Sequence, residues 1–313
     1  MAELVDRVVG VYHFLADRVP KGIPLVAPKP RTVNPWVRDG KVVVAKAVAG
    51  SDVRVSLERL IARLGGLEQV VGRGDKVLVK PNFNSADPYP ASTDLGFLRA
   101  VIEILLEAGA KVIVGESAGG VWRPTRKVFR KIGLPDLARE LGIELIAFDD
   151  WPDDWVRVKL NGDYLHTACM PRSAYEADKI VYLPCMKTHQ LARFSGALKL
   201  GMGFVHPGQR RGFHARYLER KLAEISLCWQ PNLIIMDGRK AFVSGGPSKG
   251  ELVAPGIMLA SGDLVAIDVE AMKVLLTYEA KNRLIANPWQ SPQVMTALKH
   301  GLGVGEGGYI LVE

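Results

Sequence analysis

The sequence predicts an α/β fold, with a mainly parallel, doubly wound sheet, a small β-hairpin insertion and an extended N-terminal arm. Three observations lead there. From Lys41 onward, apolar runs of strand length alternate with longer stretches of helical period. Several of those runs end in polar residues, as expected where parallel strands share one C-terminal edge. Asn161-Gly162 between two short β-type runs is the strongest hairpin signal in the chain.

Taken in order, residues 3–18 place Val5, Val8, Val9, Tyr12 and Leu15 at helical spacing. Pro20, Pro24, Pro28, Pro30 and Pro35 then rule out a helix or central strand, which makes residues 20–36 an arm that wraps the body or a neighbouring subunit in a homo-oligomer. Residues 1–40 are thus helix and arm, and residues 41–313 the α/β domain, as one unit or two closely joined lobes. Val42–Val48 reads as a strand and Val53–Leu64 as a helix. Lys76–Val79 is a strand and Leu95–Glu107 a helix, capped by Thr93 or Asp94 and stopped by Gly109. Lys111–Val114 is a strand. Helices follow at 125–132, after Pro124, and at Leu134–Leu141, then a strand at Ile143–Phe148. Val156–Leu160 and Tyr164–Thr167 flank Asn161-Gly162. Lys179–Leu183 is a strand, residues 215–229 are helical, and Leu233–Met236 and Ile257–Ala260 are strands. Helices at Leu264–Leu276 and Pro292–Lys299 and a strand at Tyr309–Val312 close the chain.

Composition narrows the function. No apolar run is long and charge-free enough to span a membrane, and Glu3, Asp6 and Arg7 interrupt the N-terminal stretch, so no signal peptide is read and a cytoplasmic protein is expected. Cys169, Cys185 and Cys228 form no Cys-x-x-Cys pair, which argues against a disulfide framework, a structural zinc site and an iron–sulfur cluster. Cys185 reads as a semi-buried cysteine, with a reactive thiol as the alternative. The net charge of +8 calls for an anionic partner. Nucleic acid is disfavoured: the charge is spread, the patch from Arg210 to Lys221 includes Glu219, and no nucleic-acid-binding motif accompanies it. Abundant Val, Arg and Gly with little Gln and Asn point to a heat-adapted source.

The chemistry concentrates after the strand Lys179–Leu183. Lys187-Thr188-His189, Arg193, Ser195-Gly196 and Lys199 follow within a short, glycine-rich stretch. Other strands end in Lys80-Pro81-Asn82, Glu116-Ser117 and Asp237-Gly238. A parallel sheet brings these ends to one cleft, basic through Lys80, Lys187, Arg193 and Lys199 and suited to an anionic small molecule or cofactor. His189 is the expected acid/base and Lys199 the anchor or nucleophile, its amine pKa lowered by neighbouring cations. Lys80, Asn82, Lys187, Thr188, Ser195 and Gly196 are the expected ligand-binding groups, with Glu116 and Asp237 orienting partners. Glycines 196, 201 and 203 would let backbone amides approach the ligand. A divalent transition metal is the possible cofactor, with His214 and Asp237 as ligands beside His189, His206 or Glu116. His13, His166 and His300 read as structural or surface residues. Ser244-Gly245-Gly246-Pro247 reads as a loop or lid, and Asp263 as a helix cap. Gly115-Glu116-Ser117-Ala118-Gly119 also fits a nucleophile elbow, the serine-hydrolase alternative with Ser117 as nucleophile. A non-enzymatic anion or metal binding or assembly protein is the reading from another class.

Several segments together resemble the family known as domain of unknown function 362. They are Val77–Asn82, Ala108–Ser117, Leu183–His189, Ser195–Lys199, Asp237-Gly238, Gly245–Pro247 and Ala260–Asp263 through Asp268. Many members carry an added cysteine-rich ferredoxin-like segment that this chain lacks. More distantly, His189 and Lys199 are similar in order and spacing to the catalytic histidine and cofactor-bearing lysine of the nickel-pincer lactate racemase. That resemblance implies proton transfer by His189, anchoring by Lys199 and a metal-ligand histidine near His214. Trp122 stands where the racemase has its second catalytic histidine, so the resemblance implies a shared fold with different chemistry.

Overall fold

A computed structural model describes residues 11–12, 16–151 and 153–313; the helix expected over 3–18, with His13, lies almost wholly outside them. The arm supplies β1 (Leu25–Val26) and β2 (Val37–Arg38), followed by β3 (Lys41–Val48), α1 (Val53–Leu64), β4 (Lys76–Lys80), α2 (Leu95–Glu107) and β5 (Lys111–Glu116). Next come α3 (Thr125–Ile132), α4 (Leu134–Leu141), β6 (Glu144–Ala147), β7 (Trp155–Lys159), β8 (Thr167–Pro171), α5 (Arg172–Glu176) and β9 (Lys179–Tyr182). The site region holds β10 (Cys185–His189), β11 (Arg193–Ser195), α6 (Ala197–Leu200), α7 (Pro207–Ala215) and α8 (Leu218–Glu224). The remainder is β12 (Leu233–Gly245), β13 (Gly250–Val253), β14 (Ile257–Ser261), α9 (Leu264–Leu276), α10 (Pro292–Lys299) and β15 (Tyr309–Val312).

The main sheet runs β15-β3-β14-β12-β9-β4-β5-β6, with β2, β10, β11 and β13 attached at its margins. Along that path only β14 runs against its neighbours. Strand periodicity explains why the sheet is covered on both faces. Val77, Val79, Val112, Val114, Val181, Leu233 and Ile235 pack into one core with α1–α4. Leu78, Ile113, Ile180, Tyr182, Ile234 and Met236 pack into the other, with α6–α10. Two buried faces account for strands that read as unbroken apolar runs. Local signals set the helix boundaries: Asp52, Asp94 and Asp263 each accept the first free N–H groups of α1, α2 and α9.

Two expectations change, and the arm is found on the body. The hairpin forms as β7 and β8, but its second strand begins at Thr167, not Tyr164. The Glu224 carboxylate accepts the N–H groups of Asp163, Tyr164 and Leu165, which wraps those residues into the loop before the strand starts. The hairpin joins β1 in a small separate sheet. The single helix expected over 215–229 is instead the end of α7, then α8 and a further turn, broken where Tyr217 takes the left-handed conformation at φ 58. The arm wraps its own body: Lys29 donates to the Ala177 carbonyl, Thr32 and Gln230 exchange two hydrogen bonds, and the Trp36 indole donates to the Gly66 carbonyl. Among the described residues no helix is long and apolar enough to cross a membrane.

Candidate active site

β4, β5, β9 and β12 are parallel, so their C-terminal ends lie on one edge. The floor of the site is a buried ion pair from two of those ends. Lys80 Nζ donates to Glu116 Oε2 at 2.6 Å and to the Pro81 carbonyl at 2.8 Å. Glu116 also accepts the N–H groups of Phe83 (2.9 Å) and Ser117 (2.8 Å). Burial pulls the Lys80 amine below its ordinary range, and Glu116 opposes that pull. Gly203 lies directly against this pair; a Cβ there would collide with Lys80 and Glu116. Its lack of a side chain therefore serves internal packing.

Above the floor lies a cavity of about 460 Å³, lined among others by Asn82, Lys187, His189, Ser195, Lys199, Arg210 and His214. A recess of about 50 Å³ continues below it, lined by Lys80, Asn82, Glu116, Ser117, Ser195, Gly196, Lys199 and Arg210. Three cations at this site lack a carboxylate bonded to them among the described residues. Lys187 is 1% exposed and donates to the Ala91 carbonyl. Arg210 places its guanidinium against the carbonyls of Val205, Ser117, Ala118 and Gly203. Lys199, on α6, lines both spaces. Burial, then Lys187, Arg210 and Lys80, push the Lys199 amine down to about 7, with Glu116 opposing. Burial pulls Arg210 down to about 10 and lowers Lys187.

His189 is held in one tautomer. Its Nδ1 accepts the N–H groups of Leu191 and Ala192, both at 3.1 Å, so the ring proton belongs on Nε2. Burial, together with Lys199, Lys187 and His214, pushes its pKa down to about 2. The ring is therefore a neutral hydrogen-bond donor across the physiological range.

Lys199 is positioned from α9. Asp268, 1% exposed, accepts the N–H groups of Ala197 at 2.6 Å and Leu198 at 3.0 Å through its two oxygens. Gly196 permits this approach, since a Cβ would strike Asp268 and the Phe194 ring. Burial raises the Asp268 carboxyl to about 7.

The structure thus gathers Lys80, Asn82, Glu116, Ser117, Lys187, His189, Ser195, Gly196, Lys199 and His214 around one cavity system. It leaves out three expected residues. Thr188 donates to the Phe242 carbonyl, because strand alternation turns it away from the face shared by Lys187 and His189. Asp237 lines neither space: Arg239, two residues on along the same strand, chelates its carboxylate, and the Tyr89 hydroxyl donates to it at 2.7 Å. Arg193 adopts φ 59, pairs with Glu219 and lines a separate recess. With Asp237 committed, the expected His214–Asp237 metal pair is not assembled. Among the described residues the one cluster of three metal-ligand types within ligating distance is Asp163, Glu224 and His300, outside the cavity. His300 consequently has the polar neighbours that its sequence context does not reveal, whereas His166 is exposed as expected. His206 caps α7 by accepting the Gly208 N–H. Among the described residues Ser117 Oγ is buried without a hydrogen-bond partner, so no described imidazole activates it and the serine-hydrolase alternative lacks its first geometric requirement. Cys185 is a buried thiol with its pKa pushed up to about 11, so it has little thiolate character at neutral pH.

The sequence puts Arg210 in the basic patch running to Lys221, whereas the structure buries it at the cavity. Pro207, Arg210 and Phe213 recur every third residue and share the buried face of α7, a spacing visible in the sequence. Asp268 belongs to a segment that carries the family resemblance, but its role is not written locally: its partners are backbone N–H groups seventy residues away.

The family model described as Domain of unknown function (DUF362) matches residues 77–273. The thylakoid-associated protein sll1697 of Synechocystis sp. is 25% identical over 301 residues, covering 85% of this chain and 91% of that protein. Among solved structures, the lactate racemase apoprotein from Thermoanaerobacterium thermosaccharolyticum shares 14% identity at a TM-score of 0.41, covering 82% of this chain and 61% of that one. A structural-genomics protein from Thermotoga maritima shares 12% identity at a TM-score of 0.39, covering 74% of this chain and 59% of that one. The chain thus spans about three fifths of the length of these two structures.

Proposed function

The chain belongs to the domain of unknown function family DUF362, and from that premise we propose that it is an enzyme acting on an anionic small molecule held in the basic cavity. One observation carries the reading: Lys187, Lys199 and Arg210 border one cavity with no carboxylate bonded to any of them among the described residues. Buried cations without a bonded counter-ion are costly even with Glu116, Asp149, Asp17 and Asp87 nearby, and an anionic ligand offsets that cost. In this reading Lys187 and Arg210 hold the negative charge. Lys199 anchors or attacks the ligand, and His189 steadies it by donating from Nε2. The acid/base part assigned to His189 from sequence passes to Lys199, whose amine titrates near neutrality.

Two-base racemisation is not proposed, because Trp122 at the cavity lining carries no group able to exchange a proton at neutral pH. The non-enzymatic binding or assembly reading is favoured by one observation, the fixed neutral state of His189.

Isothermal titration with oxalate at low ionic strength tests the proposal. The expected result is one site per chain, weakened at least tenfold by Lys187→Met and by added salt. Absence of binding, or binding indifferent to that substitution, overturns it. Retention of oxalate binding in His189→Gln, with no turnover of any anionic substrate in the unaltered protein, favours the carrier.

A further inference from the structure

Building on the anion-binding reading, we propose that Lys199 is a carbonyl-capturing nucleophile whose substrate is a small 2-oxo acid. Three features of the cavity lead to this. Lys80 has Glu116 and the Pro81 carbonyl, Lys187 has the Ala91 carbonyl and Arg210 has four carbonyls. Lys199 alone among these cations has no acceptor bonded to it among the described residues, and it borders both the cavity and the recess. Asp268 and the side-chain-free Gly196 hold the backbone just before it, so the amine projects from a fixed base. Two further polar groups at the site are uncommitted among the described residues: the Nε2–H of His189, whose other nitrogen is taken, and the buried Ser117 Oγ.

A nucleophilic amine needs a lone pair. Burial and the surrounding cations bring Lys199 down to about 7, so about half of it is unprotonated near pH 7. The substrate must then supply an electrophilic carbon and, close to it, the negative charge that Lys187 and Arg210 require. A carboxylate bonded directly to a carbonyl provides both in the fewest atoms, and such a molecule fits a space of about 460 Å³.

The step balances without an external oxidant or reductant. The Nζ lone pair forms the C–N bond as the carbonyl π pair moves to oxygen, and one nitrogen proton passes to that oxygen to give a carbinolamine. The nitrogen then forms the C=N bond, its second proton joins the departing hydroxyl, and one water leaves. His189 Nε2–H hydrogen-bonds the oxygen while it carries developing charge, a contribution available to a neutral imidazole.

The test uses the full chain with pyruvate and sodium cyanoborohydride, read by intact mass and peptide mapping. The expected result is a single reduced adduct on the peptide containing Lys199, abolished in Lys199→Arg and suppressed by excess oxalate. The neutral ketone hydroxyacetone should label at least tenfold more slowly. Label spread over surface lysines, equal label in Lys199→Arg, or equal rates for the two ketones each overturn the proposal. Glycolaldehyde phosphate labelling Lys199 where pyruvate does not would overturn the carboxylate assignment. If Lys199→Arg does not fold, oxalate protection of the mapped lysine in the unaltered protein decides the question. Oxalate binding without any trapped adduct removes the imine and leaves the anion-binding reading standing; loss of both removes both.

Discussion

At the scale of single residues, this site exchanges the roles that lysine and histidine usually hold. His189 faces two backbone N–H groups with one nitrogen and cannot gain a proton there without losing both bonds. Lys199 is buried among cations, and burial above all brings its amine down to about 7. Below about pH 7 the folded chain carries the full cost of a charged Lys199. Between about 7 and 10.5 the unfolded chain binds a proton that the folded chain lacks, so stability rises with pH over that window. The charged groups acting on it are Lys187, Arg210, Lys80 and Glu116, beside the neutral His189. Lys199→Met is therefore expected to raise the melting temperature by several degrees at pH 6, with a gap that closes toward pH 10, as followed by calorimetry. The floor pair gives the opposite result. Glu116→Gln leaves Lys80 buried beside a neutral amide and is expected to cost about 3–5 kcal/mol in urea unfolding. Lys187, His189 and Lys199 were legible at this scale because titratable groups crowd a strand end. Thr188 was misassigned although alternation along β10 places it on the opposite face. Asp237 was misassigned because Arg239, two residues later, claims its carboxylate.

At the scale of elements, α6 is the informative case. One helical turn from Ala197 to Leu200 is too short to persist by its own propensity. Asp268 on α9 holds it through the N–H groups of Ala197 and Leu198. Asp268→Ala leaves two buried donors unsatisfied and is expected to cost about 2–4 kcal/mol, with oxalate binding weakened beyond what the loss of stability explains. Asp268→Asn retains one acceptor and is expected to recover part of both. The pH dependence has a definite sign. The Asp268 carboxyl titrates at about 7 when folded and near 3.8 when unfolded. Its contribution is fully present below about pH 3.8 and is lost as pH rises through about 7. The stability difference between the unaltered protein and Asp268→Asn should shrink across that interval. Other helices needed no such help: α1, α2 and α9 begin at capping aspartates and α10 at Pro292, and all four follow their apolar periods. The segment after Ala215 ran against its pattern because Tyr217 takes a left-handed conformation that breaks a continuous helical period.

At the scale of the whole molecule, the arm joins the two cores rather than reaching outward. Its Trp36 is buried beside α1 and the loop after it, with the indole donating to Gly66. Trp36→Ala is expected to cost about 3–5 kcal/mol, measured by urea unfolding, with little change in oxalate affinity because the residue does not line the cavity. The α/β class, the strand order of events along the chain and the bounds of most helices were determined by the sequence itself, since periodicity and caps are local and each is written within a dozen residues. Which strand ends meet, which carboxylate is already spent, and which lysine lacks a bonded acceptor among the described residues were decided only by tertiary structure. Those outcomes depend on the parallel stacking of β4, β5, β9 and β12 and on backbone donors far away in the chain, and electrostatic pairing follows distance in space rather than distance in sequence.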